Sequence, residues 1–223
     1  MKPVILINFK TYESGAGHRA LEIAKMADNI AKEKGVNIIV AVQTADIRMI
    51  ADAVSIPVYA QHIDPIEPGS HTGWTLAEGV KEAGAEGTLI NHSEHRLEIS
   101  QIEKAIDIAR EERMKVVACA PDAEIAEAIS IFEPDFIAVE PPELIAGNIS
   151  VSEARPELIT KTILMVKKIN ANIPVLVGAG VKKSGDISKA LELGASGVLL
   201  SSSVMKSKDP ENEMLKLIEG LKR

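Results

Sequence analysis

Eight short apolar runs punctuate this chain, at residues 4–8, 37–41, 56–60, 87–91, 115–120, 136–139, 174–178 and 197–201, and a more polar stretch follows each. Runs such as Val4-Ile5-Leu6-Ile7 and Val116-Val117-Ala118-Cys119 are apolar throughout, which suits strands buried on both faces. Strands of that kind belong to parallel sheets, whose successive strands are joined by crossover segments, usually helices. Eight such units in 223 residues predict a closed (β/α)8 barrel of the α/β class, with residues 1–223 forming one domain.

The crossover helices carry their own signals. Residues 18–34 place Leu21, Ala24, Ile30 and Ala31 at helical spacing and stop at Gly35, a residue that closes helices in the left-handed conformation. Residues 98–113 repeat Ile102, Ala105, Ile106 and Ala109 on one face with charge on the other. Residues 155–170 open with Pro156 in the first turn and continue through Leu158, Ile159, Thr162, Ile163 and Val166, and shorter helices are predicted at 186–193 and 212–221.

Two strand-to-helix connections are too long for ordinary loops. Residues 61–73 hold the turn signals Asp64-Pro65, Glu67-Pro68-Gly69 and Thr72-Gly73, and residues 141–153 begin with two prolines. In a barrel of this kind such loops gather at the C-terminal face, where active sites are built. Pro141 and Pro142 remove two backbone donors, so the ladder stops at Glu140, while Ala146-Gly147-Asn148 bends freely at the far end. That is the outline of a hinged lid hung from a fixed carboxylate.

The charge balance restricts the partners. A net charge of −7 and 3% aromatic residues argue against a nucleic-acid surface, so any phosphate bound must be small and locally captured. The single cysteine, Cys119, lies in an apolar run and reads as a small core residue of a protein from a reducing compartment. The apolar start 3–7 is interrupted by Asn8 and Lys10, too early for a signal peptide or a membrane span. A soluble, cytoplasmic protein is expected.

Polar residues are few at the ends of the predicted strands. The first ends in Asn8-Phe9-Lys10, the fourth in Asn91-His92-Ser93-Glu94 and the sixth in Glu140, which would converge on one barrel mouth. Gly178-Ala179-Gly180 after the seventh and Ser201-Ser202-Ser203 after the eighth suit a phosphate cradle made of backbone N–H groups and small hydroxyls. The histidines present no metal-ligand spacing, no Gly-x-Ser-x-Gly nucleophile turn occurs, and dinucleotide and triphosphate fingerprints are missing. The chemistry that remains is proton movement on a phosphorylated substrate, with neither metal nor organic cofactor.

In their order and spacing, Asn8-Phe9-Lys10, His92-Ser93-Glu94-His95-Arg96, Val139-Glu140-Pro141 and Gly178-Ala179-Gly180 resemble the triosephosphate isomerase family, and the compact helices and Pro-Pro-Glu-Leu-Ile segment are most similar to its shorter archaeal form. The resemblance runs from the first strand to the last. It implies a TIM barrel that interconverts D-glyceraldehyde 3-phosphate and dihydroxyacetone phosphate in glycolysis and gluconeogenesis. By that resemblance Glu140 is the base, and His92 is a neutral electrophile set at the N-terminus of a short helix beginning near Ser93. Lys10 supplies positive field, Glu94 holds its ammonium and Asn8 stands close by. The implied substrate-binding set also includes Ile145, Ala146, Gly178, Gly180, Ser201 and Ser202, with residues 141–147 as a closing lid.

The resemblance further implies self-association, as a homotetramer or a homodimer. The loop 61–73 would then project into a neighbouring subunit, setting Thr72 at its tip beside the neighbour's site, while Cys119 supports the site from within the barrel. Asn91 stands where the family has glycine before the histidine, and Ile145-Ala146-Gly147-Asn148 replaces the family's Ile-Gly-Thr-Gly. Two other readings stay open: another phosphosugar barrel enzyme, an epimerase or a synthase, and a catalytically silent phosphate-binding barrel.

Overall fold

In the computed structural model, which describes residues 2–141 and 150–221, eight parallel strands close into a barrel. They are β1 (Val4–Asn8), β2 (Asn37–Val42), β3 (Val58–Ala60), β4 (Gly87–Ile90), β5 (Lys115–Ala120), β6 (Phe136–Val139), β7 (Val175–Val177) and β8 (Gly197–Leu200). Each strand pairs with its successor, and β8 returns to β1 with Leu6 opposite Leu199. The expected fold class is thus observed, and all eight expected strands form.

Strand starts shift where proline intervenes. The expected runs 56–60 and 174–178 shorten to Val58–Ala60 and Val175–Val177. Pro57 and Pro174 have no N–H to give to the ladder, although their carbonyls still accept from Val40 and Ile137.

The helices are α1 (Gly17–Lys34), α2 (Ile47–Ala51), α3 (Ala77–Glu82), α4 (Ile99–Glu111), α5 (Ala123–Ser130), α6 (Val151–Ala154), α7 (Pro156–Ile169), α8 (Ser184–Glu192), α9 (Ser202–Met205) and α10 (Pro210–Ile218). Gly35 closes α1 in the left-handed conformation and donates its N–H to Ala31, and Pro156 opens α7, both as the sequence predicts. The short helices α2, α3, α6 and α9 gave no periodic signal because four to six residues make little more than one turn.

Side-chain alternation along the strands divides the apolar residues into two bodies. Val4, Leu6, Ile39, Tyr59, Leu89, Val117, Ala138, Leu176 and Leu199 fill the barrel interior, while Ile5, Ile7, Ile38, Val40 and Val116 point outward and pack under the helices. Tyr59 is the bulkiest inward group, and a Cβ on Gly87 would lie 2.6 Å from its ring, so glycine at 87 makes room for it. Cys119, buried at 1%, belongs to the same interior.

The inward set continues past the core. One further step of two residues from Leu6, Tyr59, Ala138, Leu176 and Leu199 reaches Asn8, Gln61, Glu140, Gly178 and Ser201. The interior layers thereby end in a ring of polar and small residues at the C-terminal mouth.

The long connection after β3 is closed at its neck by Asp64, whose N–H donates to the Thr75 carbonyl while its carboxylate accepts the Thr75 N–H at 2.6 Å. Beyond that neck residues 67–74 are exposed, Thr72 among them. Among the described residues no helix is long and apolar enough to cross a membrane.

Candidate active site at the barrel mouth

Glu140 directly follows β6. Its N–H still donates to the Ala120 carbonyl at 2.8 Å, which fixes the backbone, and Pro141 ends the ladder immediately after it. The carboxylate is buried, with 4% of the residue exposed. A Cβ on Gly178 would stand 2.3 Å from Glu140 Cγ and 2.6 Å from Oε1, so glycine at 178 is what lets the acid lie inward across the mouth.

Beneath the carboxylate, burial pushes the Cys119 thiol well above its ordinary range, and the negative charge and hydrogen bond of Glu140 push it the same way. Cys119 is therefore a neutral thiol under the acid.

His92 is presented by a sharp exit from β4. Asn91 adopts φ 55°, a left-handed conformation that asparagine tolerates better than other residues with a Cβ. Its side chain holds the turn from both sides, donating to the Cys119 carbonyl at 2.9 Å and accepting from the Leu97 N–H at 3.0 Å. The departure from the family's glycine is thus one the backbone accommodates.

The expected helix near Ser93 is not formed. Residues 92–95 make a single turn closed by His95 N–H to the His92 carbonyl at 2.8 Å, and α4 begins only at Ile99. A single amide stands in for the helix terminus. The Glu94 N–H donates to His92 Nδ1 at 3.2 Å, so a neutral ring carries its hydrogen on Nε2. That Nε2 faces Glu140 Oε2 at 3.5 Å, and neither atom has a hydrogen-bond partner among the described residues.

Lys10 is turned into the mouth by a left-handed backbone at φ 48°. The Asn8 side chain accepts the Lys10 N–H at 2.9 Å, and Gln61 Nε2 donates to the Lys10 carbonyl at 3.0 Å and to the Ala41 carbonyl at 3.2 Å. Its ammonium donates to Glu94 Oε1 at 2.8 Å, with the Lys10 side chain 14% exposed and that of Glu94 57% exposed. Asn8, Lys10, His92, Glu94 and Glu140 are therefore one assembly. Gln61, which in the sequence marks only the start of a loop, belongs to it, and the inward alternation of β3 is the signal that finds it.

On the other side of Glu140, Ala179, Gly180, Ser201 and Ser202 line a depression together with Lys10. Ala179 and Gly180 both have positive φ, 68° and 73°. Ser201 Oγ and Ser203 Oγ are buried without a partner among the described residues. Gly178 sits against Glu140 and is not among the residues lining this depression. Ile145 and Ala146 lie outside the described residues, and Thr72 is not among the residues lining the mouth.

A second depression, about 410 Å³, opens on the far side of Lys10 between Gln43, Gln61 and Thr75. There the His62 and His95 rings stack at 4.0 Å, and His62 Nε2 lies 3.1 Å from Asp64. Burial lowers the proton affinity of His62 and His95 adds to that, against the opposing pull of Asp64. Among the described residues no three His, Cys, Asp or Glu side chains stand together as a metal-binding set.

Residues 3–221 match the family model described as triosephosphate isomerase. The chain is 49% identical to the triosephosphate isomerase of Methanocaldococcus jannaschii over 97% of this chain and 99% of that protein. The Methanobacterium bryantii enzyme of the same name is 47% identical over 98% and 97%, and that of Methanothermus fervidus 46% over 97% and 98%. With a match that spans the barrel from β1 to α10, and relatives covered almost end to end, this chain belongs to the triosephosphate isomerase family.

Proposed function

We propose that the protein interconverts D-glyceraldehyde 3-phosphate and dihydroxyacetone phosphate through an enediolate, in the cytoplasm and within glycolysis and gluconeogenesis, with residues 1–223 acting as one barrel domain. The observation that carries this reading is the buried pair His92 Nε2 and Glu140 Oε2, a donor and an acceptor aimed at one gap and left without partners. In dihydroxyacetone phosphate, the Glu140 carboxylate takes a proton from C1 while His92 Nε2–H hydrogen-bonds the C2 carbonyl oxygen. Charge that develops on that oxygen is stabilised by the donor and by the Lys10 ammonium. His92 Nε2 gives its hydrogen to O2 and takes the one on O1, and Glu140, now protonated, returns its hydrogen to C2 as the product aldehyde forms at C1. One carboxylate serves both carbons because they are adjacent.

The phosphate rests between the turn after β7 and the start of α9, where Ala179, Gly180, Ser201 and Ser202 line the depression. Family membership and the His92–Glu140 pair favour this chemistry over a phosphosugar epimerase, a synthase or a silent phosphate-binding barrel. A coupled assay of triose-phosphate interconversion decides between them, and well-folded protein without turnover would sink the proposal.

Self-association as a homotetramer, or a homodimer, is part of the same reading. It is supported by the exposed 67–74 loop, at whose base Trp74 is 52% exposed. A fully active monomer in sedimentation would refute a requirement for the assembly.

A further inference from the structure

Asp186 has no place in the chemistry above, yet it is 4% exposed and the most heavily bonded carboxylate near the mouth. It lies in the first turn of α8, below the turn that follows β7. One carboxylate oxygen accepts the N–H of Lys182 at 2.9 Å and of Lys183 at 3.0 Å, and the other accepts the Ser150 hydroxyl at 2.9 Å. Ser152 donates to the Asp186 carbonyl at 3.2 Å, and the Val151 N–H donates to the Ala179 carbonyl at 3.2 Å. The start of α6, the head of α8 and the 178–183 turn are thereby bound into one body.

The turn it holds needs holding. Ala179 sits at φ 68°, a conformation that costs an alanine about 1 kcal/mol, and Gly180 follows it at φ 73°. Among the described residues no group accepts the N–H of Ala179, Gly180 or Val181, whereas the next two amides are both taken by Asp186. Those three residues line the depression assigned above to the substrate phosphate. An unbraced turn could relax Ala179 toward negative φ and would turn its amides out of register.

We infer that Asp186 is a positioning residue for the phosphate: by claiming the Lys182 and Lys183 amides and clamping Ser150, it holds the Ala179–Val181 amides open for an anion. The inference rests on the proposed function and names what builds its phosphate pocket. Asp186 touches no substrate, so its loss weakens phosphate binding more than it slows proton transfer.

The test uses the full chain carrying Asp186→Asn, and separately Ser150→Ala, which removes the hydroxyl bonded to Asp186, to Ser152 and to the Glu153 N–H and leaves the carboxylate in place. Asp186→Asn should raise the KM for dihydroxyacetone phosphate and the Kd for inorganic phosphate together by roughly tenfold, the scale of one lost hydrogen bond to a charged group, while kcat changes less than about threefold. Ser150→Ala should move the same two constants in the same direction by a smaller factor. Phosphate binding is read by calorimetry, so an inactive wild-type protein would defeat the isomerase reading and leave this measurement intact. A lowered melting temperature with KM and phosphate Kd at wild-type values, in whichever variant folds, would reduce Asp186 to a structural brace and overturn the inference.

Discussion

His92 Nε2 and Glu140 Oε2 face each other at 3.5 Å across the barrel mouth, both buried and both unpartnered among the described residues. A fully buried donor and acceptor left unmade cost stability, on the order of 1–3 kcal/mol each, so their persistence marks a site shaped for something placed between them. Each is held from behind: Glu94 N–H fixes the His92 ring, and Gly178 and the Ala120 carbonyl fix the acid. Glu140→Asp withdraws the carboxylate by about 1 Å and should cost on the order of 100-fold in kcat with KM little changed. Steady-state kinetics check this, and an unaltered kcat would remove Glu140 from the role of base.

Gly178→Ala attacks the same geometry from the opposite wall. The added Cβ would stand 2.3 Å from Glu140 Cγ, a separation that cannot persist, so the acid or the turn must move. A displacement of that kind should cost roughly 10- to 100-fold in kcat. Thermal stability should fall less than for Gly87→Ala, where the clash is with the Tyr59 ring and the Lys115 backbone inside the packed barrel. Equal kcat in Gly178→Ala and wild type would show that glycine at 178 serves some purpose other than seating the acid.

The barrel is legible because its signal is repeated eight times, and strands buried on both faces have few alternatives to a parallel sheet. The residues proposed for the site are legible for a related reason: Asn8, Lys10, His92 and Glu140 stand at strand ends, where an apolar run stops at a polar residue. Gln61 is less so, since its function lies in two bonds to backbone carbonyls, one in the turn after β1 and one in β2, and partners remote in sequence leave no local pattern. Asp186 is hidden likewise, because it reads as an ordinary first-turn acid until the fold brings Ser150 to it. The capping of His92 departs from what its sequence suggests: Ser93 and Glu94 suit a helix start, but the chain makes one turn and delays α4 to Ile99, leaving a single N–H to hold the ring.

Lys10 and Glu94 supply a prediction that separates charge from position. Lys10→Met keeps much of the aliphatic stem but removes the ammonium, and should lower kcat/KM by about 100-fold or more, the usual scale for losing a preorganised charge at the reacting oxygen. Glu94→Gln leaves the Glu94 backbone N–H on His92 and removes the negative charge beside the ammonium, a carboxylate that also lies 3.7 Å from His92 Nδ1. Because the Glu94 side chain is 57% exposed, its pairing energy is screened, and the loss should be near tenfold or less. A Glu94→Gln defect as large as that of Lys10→Met would mean that the carboxylate itself takes part in the reaction.

The His62–His95 stack predicts a pH dependence of stability on the acid side. Burial lowers the folded-state pKa of His62 below its ordinary 6.5, with Asp64 opposing and the neighbouring His95 assisting. The unfolded chain therefore binds the proton more readily, and stability rises with pH between the folded value and 6.5. Above that window His62 is neutral in both states and contributes no slope. As pH falls through 6.5 the unfolded state gains a proton that the folded state refuses, and stability is lost until the folded value is passed. Melting temperatures between pH 7.5 and 5 should accordingly fall more steeply in the wild type than in His62→Gln, which keeps a polar side chain and cannot titrate. Parallel curves for the two proteins would assign the acid sensitivity to other groups.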